Sequence, residues 1–290
     1  MKRKILKIML YLCGFFCIAY PIYSKFLSFK SQTEIITNYN QEIEAMDKEI
    51  LENKQKKAEE YNIENSSEVK VINPNDIEPT EEQSTYSFLD LGELIGVINI
   101  PKISLELPIY EGVTSNNLLK GVTHMENTSL PNGNLSTHAI LAGHTGISQA
   151  EIFDNLNELN LDDEFYITFL GEMTKYKVID KRVVLPDETS SLKIEDNRCL
   201  VTLVTCTPKT VNTHRLLVTG EKVEDTDNTI QVVEDNNLLD NEKNLKENDF
   251  VLFLEFIKKN KSMAIFIIII IVLLILLTIV QKLRKRKKEK

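Results

Sequence analysis

Met263 to Val280 is built almost entirely of Ile, Leu, Val and Phe and carries no charge. As a helix it is about 27 Å long, close to the thickness of a bilayer's hydrocarbon core. It has no polar face to turn toward water, which disfavours a core helix and makes it a membrane span. Ile5 to Tyr23, the first apolar run in chain order, is broken by Gly14 and Pro21. No small-x-small cleavage site follows it, so it reads as an uncleaved anchor rather than a signal peptide. Lys2, Arg3, Lys4 and Lys7 flank the first run, and Lys282, Arg284 to Lys288 and Lys290 follow the second. Positive flanks stay in the cytoplasm, so the reading is a two-span protein with both termini inside and its middle outside the cell.

The spans divide the chain into 1–29 as anchor, 30–90 as helix and linker, and 91–223 as the globular domain. An acidic tether at 224–262, a span at 263–281 and a basic tail at 282–290 follow. The net charge of -9 disfavours nucleic acid as a partner. Ile36, Tyr39, Ile43, Met46 and Ile50 recur at helical spacing, and the charged run Glu49 to Glu60 continues the helix. The stripe fits either a solvated stalk or a helix packed on the domain. Asn65 to Ser87 is polar and holds Asn73-Pro74 and Glu78-Pro79, as a linker does. Phe250 to Ile257 is an apolar patch next to the second span.

Within the domain, strand patterns fall at His138 to Ala142, Glu164 to Phe169, Lys175 to Leu185, Cys199 to Cys206 and Arg215 to Val223. Leu118 to Val122 reads as one helical turn, and Ile152 to Leu159 has helical spacing. Many short strands with few helices predict a mostly β barrel or sandwich. No GxGxxG, P-loop, HExxH or CxxC motif is present.

Leu200 to Val204 is an apolar strand that delivers Cys206 to its end, and Arg215 opens the next strand across a hairpin-like loop. A guanidinium facing a thiol can lower the thiol pKa and stabilise an oxyanion, which points to covalent chemistry on a carbonyl. Cys199 lies about 23 Å away along an extended strand, too far for a disulfide. Cys13 and Cys17 fall in the first span, which leaves Cys206 a free thiol outside the cell. A small buried hydrophobe is the bland reading of that cysteine. Among His124, His138, His144 and His214, the best base is His144, which follows a short strand between Gly143 and Gly146. No ligand spacing fits zinc, so no metal is expected.

These residues together resemble a sortase, a cysteine transpeptidase of Gram-positive bacteria with a closed β-barrel fold. The match rests on Thr202-Leu203-Val204-Thr205-Cys206, Arg215 and Gly143-His144-Thr145. Ile98-Asn99-Ile100-Pro101-Lys102-Ile103, Leu107 to Gly112, Gly121 to His124, Pro186 to Ser190 and Asn212 to Val218 resemble the class C, pilin-polymerising members. The similarity covers roughly Leu94 to Val223.

The resemblance implies Cys206 as nucleophile, His144 as general acid/base, Arg215 as oxyanion or substrate-positioning cation, and Thr205 as a site-lining residue. It implies cleavage of an LPxTG-like sorting signal between Thr and Gly through a thioester. A pilin lysine amine would then resolve the thioester without any cofactor; transfer to a cell-wall precursor is the alternative. Class C enzymes often carry a lid with an Asp-Pro-aromatic motif. The matching place holds Asn73-Pro74-Asn75, so a lid here is expected to be weakly held or absent. A surface protein that is itself a sortase substrate is excluded by position: no LPxTG-like pentapeptide lies between Phe250 and Ser262.

Overall fold

The computed structural model describes residues 2–64, 94–147, 150–188, 192–223 and 249–260. The chain forms two compact units, one of Met1–Phe26 with Glu234–Lys290 and one of Leu27–Val233. Helix α1 spans Lys2–Ala45 and includes the first apolar run; α2 spans Lys48–Glu64. Among the described residues no helix is long and apolar enough to cross a membrane. Met263 to Val280 and Asn73-Pro74-Asn75 lie outside those residues.

Eight strands form a closed barrel. They are β1 Leu94–Ile100, β2 Leu105–Glu111, β3 Val122–His124 and β4 Thr137–Ala142. β5 Glu164–Phe169, β6 Glu172–Val184, β7 Cys199–Thr207 and β8 His214–Lys222 complete it. The order around the barrel is β1-β2-β3-β4-β7-β8-β6-β5, and β5 pairs back onto β1. Two pairs are parallel, β2 with β3 and β4 with β7. The first is joined by the short helix α3, Ser115–Lys120, capped by the Thr114 hydroxyl accepting from Asn117 N. The helical spacing from Ile152 to Leu159 yields only turns and a 3-10 turn at Leu156–Glu158. Burial of Ile152, Phe153, Leu156 and Leu159 accounts for that apolar spacing without a full helix.

The stripe on α1 packs on the barrel rather than standing in solvent. Ile36, Tyr39 and Ile43 join the core, as does Ala58 of α2. The helix does not run through as the spacing suggests, because Asp47 caps a new one, its carboxylate accepting from Glu49 N at 2.9 Å. Ile50 is accordingly exposed. The Tyr39 hydroxyl donates to Ile95 O at 3.0 Å and accepts from Leu170 N at 3.1 Å. Gly96 pairs with Phe169 in the β1–β5 ladder, so Ile95 and Leu170 are its next rung. The phenol completes the seam that closes the barrel. Asn62 of α2 makes a matching pair of bonds to Leu130 N and O.

Strands β4, β7 and β8 are covered on both faces. Ala139, Leu141, Val201, Leu203, Leu216 and Val218 face the barrel interior. Ile140, Ala142, Val204 and Leu217 point to the outer face, into a second cluster with Leu118 and Leu192. A polar row lies on that outer face too. The Thr202 hydroxyl lies 2.7 Å from His138 Nε2 and 2.8 Å from the Thr219 hydroxyl, and His138 Nδ1 donates to Lys193 O at 2.8 Å.

In the other unit, α4 (Asp249–Lys259) covers the Phe250 to Ile257 patch. Phe253 and Phe256 meet Phe26 of α1 edge-on, at 5.3 and 5.7 Å between ring centroids.

Tyr39→Phe strands two buried backbone groups and should cost about 1–3 kcal/mol of barrel stability, read from a denaturant titration. His124 is fully buried with Nε2 donating to Ser129 O at 2.8 Å, and burial lowers its pKa from 6.5 to about 4. The unfolded chain therefore takes up this proton first. Stability from His124 is full above pH 6.5 and is lost as pH falls through about 4. That loss is about 3 kcal/mol. Melting curves at pH 7 and pH 4 should show the difference, and His124→Gln should shrink it.

Candidate active site

The parallel register of β4 on β7 places Ala142 opposite Val204. Both strands therefore run to the same rim, where β4 ends into Gly143-His144 while β7 continues along β8 through Thr205-Cys206. Strand β8 returns antiparallel to β7, and its pairing sets Cys206 directly across from Arg215. Directly opposed residues project to one face with Cβ atoms about 4.5–5.5 Å apart. His144, Thr205, Cys206 and Arg215 line a single cleft with Leu118, Ala142, Gly143 and Val204.

Each member is held by backbone contacts. Arg215 is buried, and its Nη1 donates to Asn212 O at 3.1 Å and His214 O at 3.0 Å. Carbonyls of its own loop thus fix the guanidinium at the strand end, near enough for its charge to act on the Cys206 thiol. The Thr205 hydroxyl donates to Gly143 O at 2.7 Å, and Gly143 N donates to Val204 O at 3.0 Å. The backbone just before His144 is thereby latched to the strand that carries Cys206. His144 O accepts from Phe153 N at 2.9 Å.

The two glycines flanking His144 answer to different local constraints. At Gly143 the constraint is internal: a Cβ there would lie 2.5 Å from Phe153 Cδ2. Gly146 adopts φ of +78°, a left-handed conformation that favours glycine.

The electrostatics pull in two directions. Burial pushes the Cys206 thiol above its ordinary pKa, and the Arg215 charge partly opposes that. Burial lowers the His144 imidazole. Burial thus disfavours charge on both groups, a thiol and an imidazole that line one cleft. A neutral base can activate the thiol during attack, and the imidazolium so formed can protonate a leaving amine. The guanidinium supplies positive charge where an oxyanion develops.

The other histidines are elsewhere. His124 and His138 are buried in hydrogen-bonded positions, and His214 lies 2.9 Å from the Thr213 hydroxyl through Nδ1. Among the described residues no cluster of His, Cys, Asp or Glu could hold a metal ion. Sequence reasoning missed Leu118 as a wall of the cleft. It also missed Asp154 and Lys209, an ion pair that links the loop after His144 to the loop after Cys206. The apolar spacing of α3 marks Leu118 only as a buried residue, and no local pattern marks the other two.

A family model described as a sortase domain matches residues 98–223. The sequence is 29% identical over 222 residues to sortase A of Bacillus anthracis, which covers 76% of this chain and 94% of that protein. Among solved structures, sortase C-1 from Actinomyces oris superposes with a TM-score of 0.57 at 44% identity. That match spans 61% of this chain and 99% of the other. Sortase C of Streptococcus pneumoniae, described in connection with pilin substrate specificity, gives a TM-score of 0.63 at 31% identity. It covers 66% of this chain and 97% of its own.

The thiol's pH response separates the two electrostatic effects. Alkylation of Cys206 by iodoacetamide should accelerate with rising pH, with a midpoint above the ordinary thiol value. Arg215→Met removes the opposing charge and should move the midpoint higher still. A midpoint below the ordinary value, or no change in the variant, would contradict this account.

Proposed function

The chain belongs to the sortase family of cysteine transpeptidases, with class C enzymes among its structural neighbours, and we propose that it polymerises pilins at the cell surface. The convergence of Cys206, His144 and Arg215 on one cleft carries the transpeptidase chemistry, and the likeness to class C structures supports pilins as its substrates. In it, Cys206 attacks the carbonyl between Thr and Gly of an LPxTG-like sorting signal while His144 accepts the thiol proton. Arg215 stabilises the oxyanion or holds the signal. His144 then protonates the leaving glycine amine, and a thioester remains on Cys206. A lysine amine of the next pilin subunit attacks the thioester, gives an isopeptide bond and frees the thiol. Thr205 acts through Gly143, keeping the His144 loop against the nucleophile strand.

Membrane attachment belongs to the same proposal. The apolar runs Ile5 to Tyr23 and Met263 to Val280, each with a basic flank, support a two-span anchor that holds the barrel outside the cell. Transfer to a cell-wall precursor is the second reading. It is favoured by the likeness to a sortase A along most of that protein's length. The same thiol, imidazole and guanidinium would serve either acceptor.

Incubating the full-length protein in detergent with an LPxTG-type peptide should give an acyl adduct by intact mass. The adduct should be absent in Cys206→Ala and reduced about 10²-fold or more in rate in His144→Ala. Release by a pilin lysine, and not by cell-wall amines, would support polymerisation. The reverse preference would establish anchoring, and an adduct persisting in Cys206→Ala would overturn the mechanism.

A further inference from the structure

Asp154 lies outside the cleft, yet its carboxylate touches both loops that frame it. Its side chain is only 7% exposed and forms an ion pair with Lys209, whose side chain is 54% exposed. Oδ1 also accepts from Gly146 N at 3.1 Å, and Oδ2 from Ile152 N at 3.3 Å. Gly146 is two residues beyond His144, and Lys209 is three beyond Cys206. One acidic group therefore grips the histidine loop by its backbone and the loop after the nucleophile by a side-chain charge.

Packing around the carboxylate is tight in the same direction. The preceding residue, Phe153, is buried, donates its N–H to His144 O and lies against Gly143. A Cβ on Gly146 would come within 3.3 Å of Lys209 Cγ and 3.7 Å of Thr210 N. The two loops are thus in direct contact, with the ion pair beside that contact. A nearly buried carboxylate that loses its cation keeps its desolvation cost and its pull on two backbone amides. It relaxes by shifting those amides, and they belong to the loop that carries His144.

We infer that Asp154 and Lys209 form a positioning pair, which sets the distance of the His144 imidazole from the Cys206 thiol and so the rate of acylation. This rests on the catalytic roles proposed above. Proton transfer in a preorganised site is steep in geometry: a displacement of about 1 Å can cost about 10²-fold in rate. The pair acts on kcat through the histidine and leaves the peptide's binding surface alone.

The test compares Asp154→Asn, Lys209→Met, their double variant and Lys209→Arg with the wild type. All are full-length protein in detergent, assayed for thioester formation with an LPxTG-type peptide and for thermal stability. Each charge-removing single variant should lower kcat about tenfold with KM within about twofold, a loss within the reach of misplacement. The double variant should be no slower than either single, as expected for two residues serving one interaction. Lys209→Arg keeps the charge and should restore most of the rate. Melting temperatures should stay within a few degrees, which removes unfolding as the cause. Wild-type kcat in Asp154→Asn would overturn the inference, as would additive losses in the double variant. A rise in KM confined to Lys209→Met would overturn it too, because lysine would then be contacting substrate. Absence of any adduct with the wild-type protein would instead bring down the catalytic assignment, and this inference with it.

Discussion

The parallel pairing of β4 with β7 is the constraint from which the cleft follows. Parallel neighbours run to the same edge of a sheet, so the residues after Ala142 and after Val204 lie side by side. An antiparallel neighbour would have sent one of them to the far end of the barrel. With β7 so placed, the tight return into β8 puts Arg215 opposite Cys206 with no further device. Three side chains from three strand ends meet at one rim, and the Thr205 to Gly143 hydrogen bond keeps the first two rims in step.

The pleat of those strands then separates stability from chemistry. Alternate residues of β7 and β8 face the barrel core, and the others face an outer cluster that Leu118 and Leu192 help to cover. Cys206 and Arg215 continue that outer face to its end, where burial is only partial for the thiol. The apolar surroundings disfavour charge on both thiol and imidazole, so the resting site is neutral except for its arginine. Such a site holds its thiol in reserve rather than as a standing thiolate, a setting suited to chemistry that begins when a carbonyl arrives.

What the sequence made legible was local. The β-branched run before Cys206, the apolar run that follows Arg215 and the short strand before His144 each carry their pattern within a few neighbours, and all appear as strands. The mostly β character followed from the same short runs. What stayed hidden depends on residues far apart in the chain. The α1 stripe announced a packed face, but its partners at Ile95 and Leu170 lie 56 and 131 residues away from Tyr39. Only assembly could decide between stalk and clamp. The break at Asp47 was local and was masked by the continuing apolar rhythm of Met46 and Ile50. Asp154 falls inside the stretch whose spacing suggested a helix, and nothing nearby in sequence signals that its cation sits on another loop.

The barrel's long-range pairings also decide when the thiol becomes what it is in the finished protein. Thr205 and Gly143 are separated by 62 residues, and β1 must find β5 before the barrel can close. Non-local sheet contacts of this kind form slowly, since loop-closure entropy must be met before they return any free energy. The β7–β8 hairpin sets Arg215 across from Cys206 at short sequence separation, whereas His144 reaches the same rim only through the long-range pairing of β4 with β7. The thiol thus gains its charged neighbour from a local hairpin and its imidazole from a distant strand.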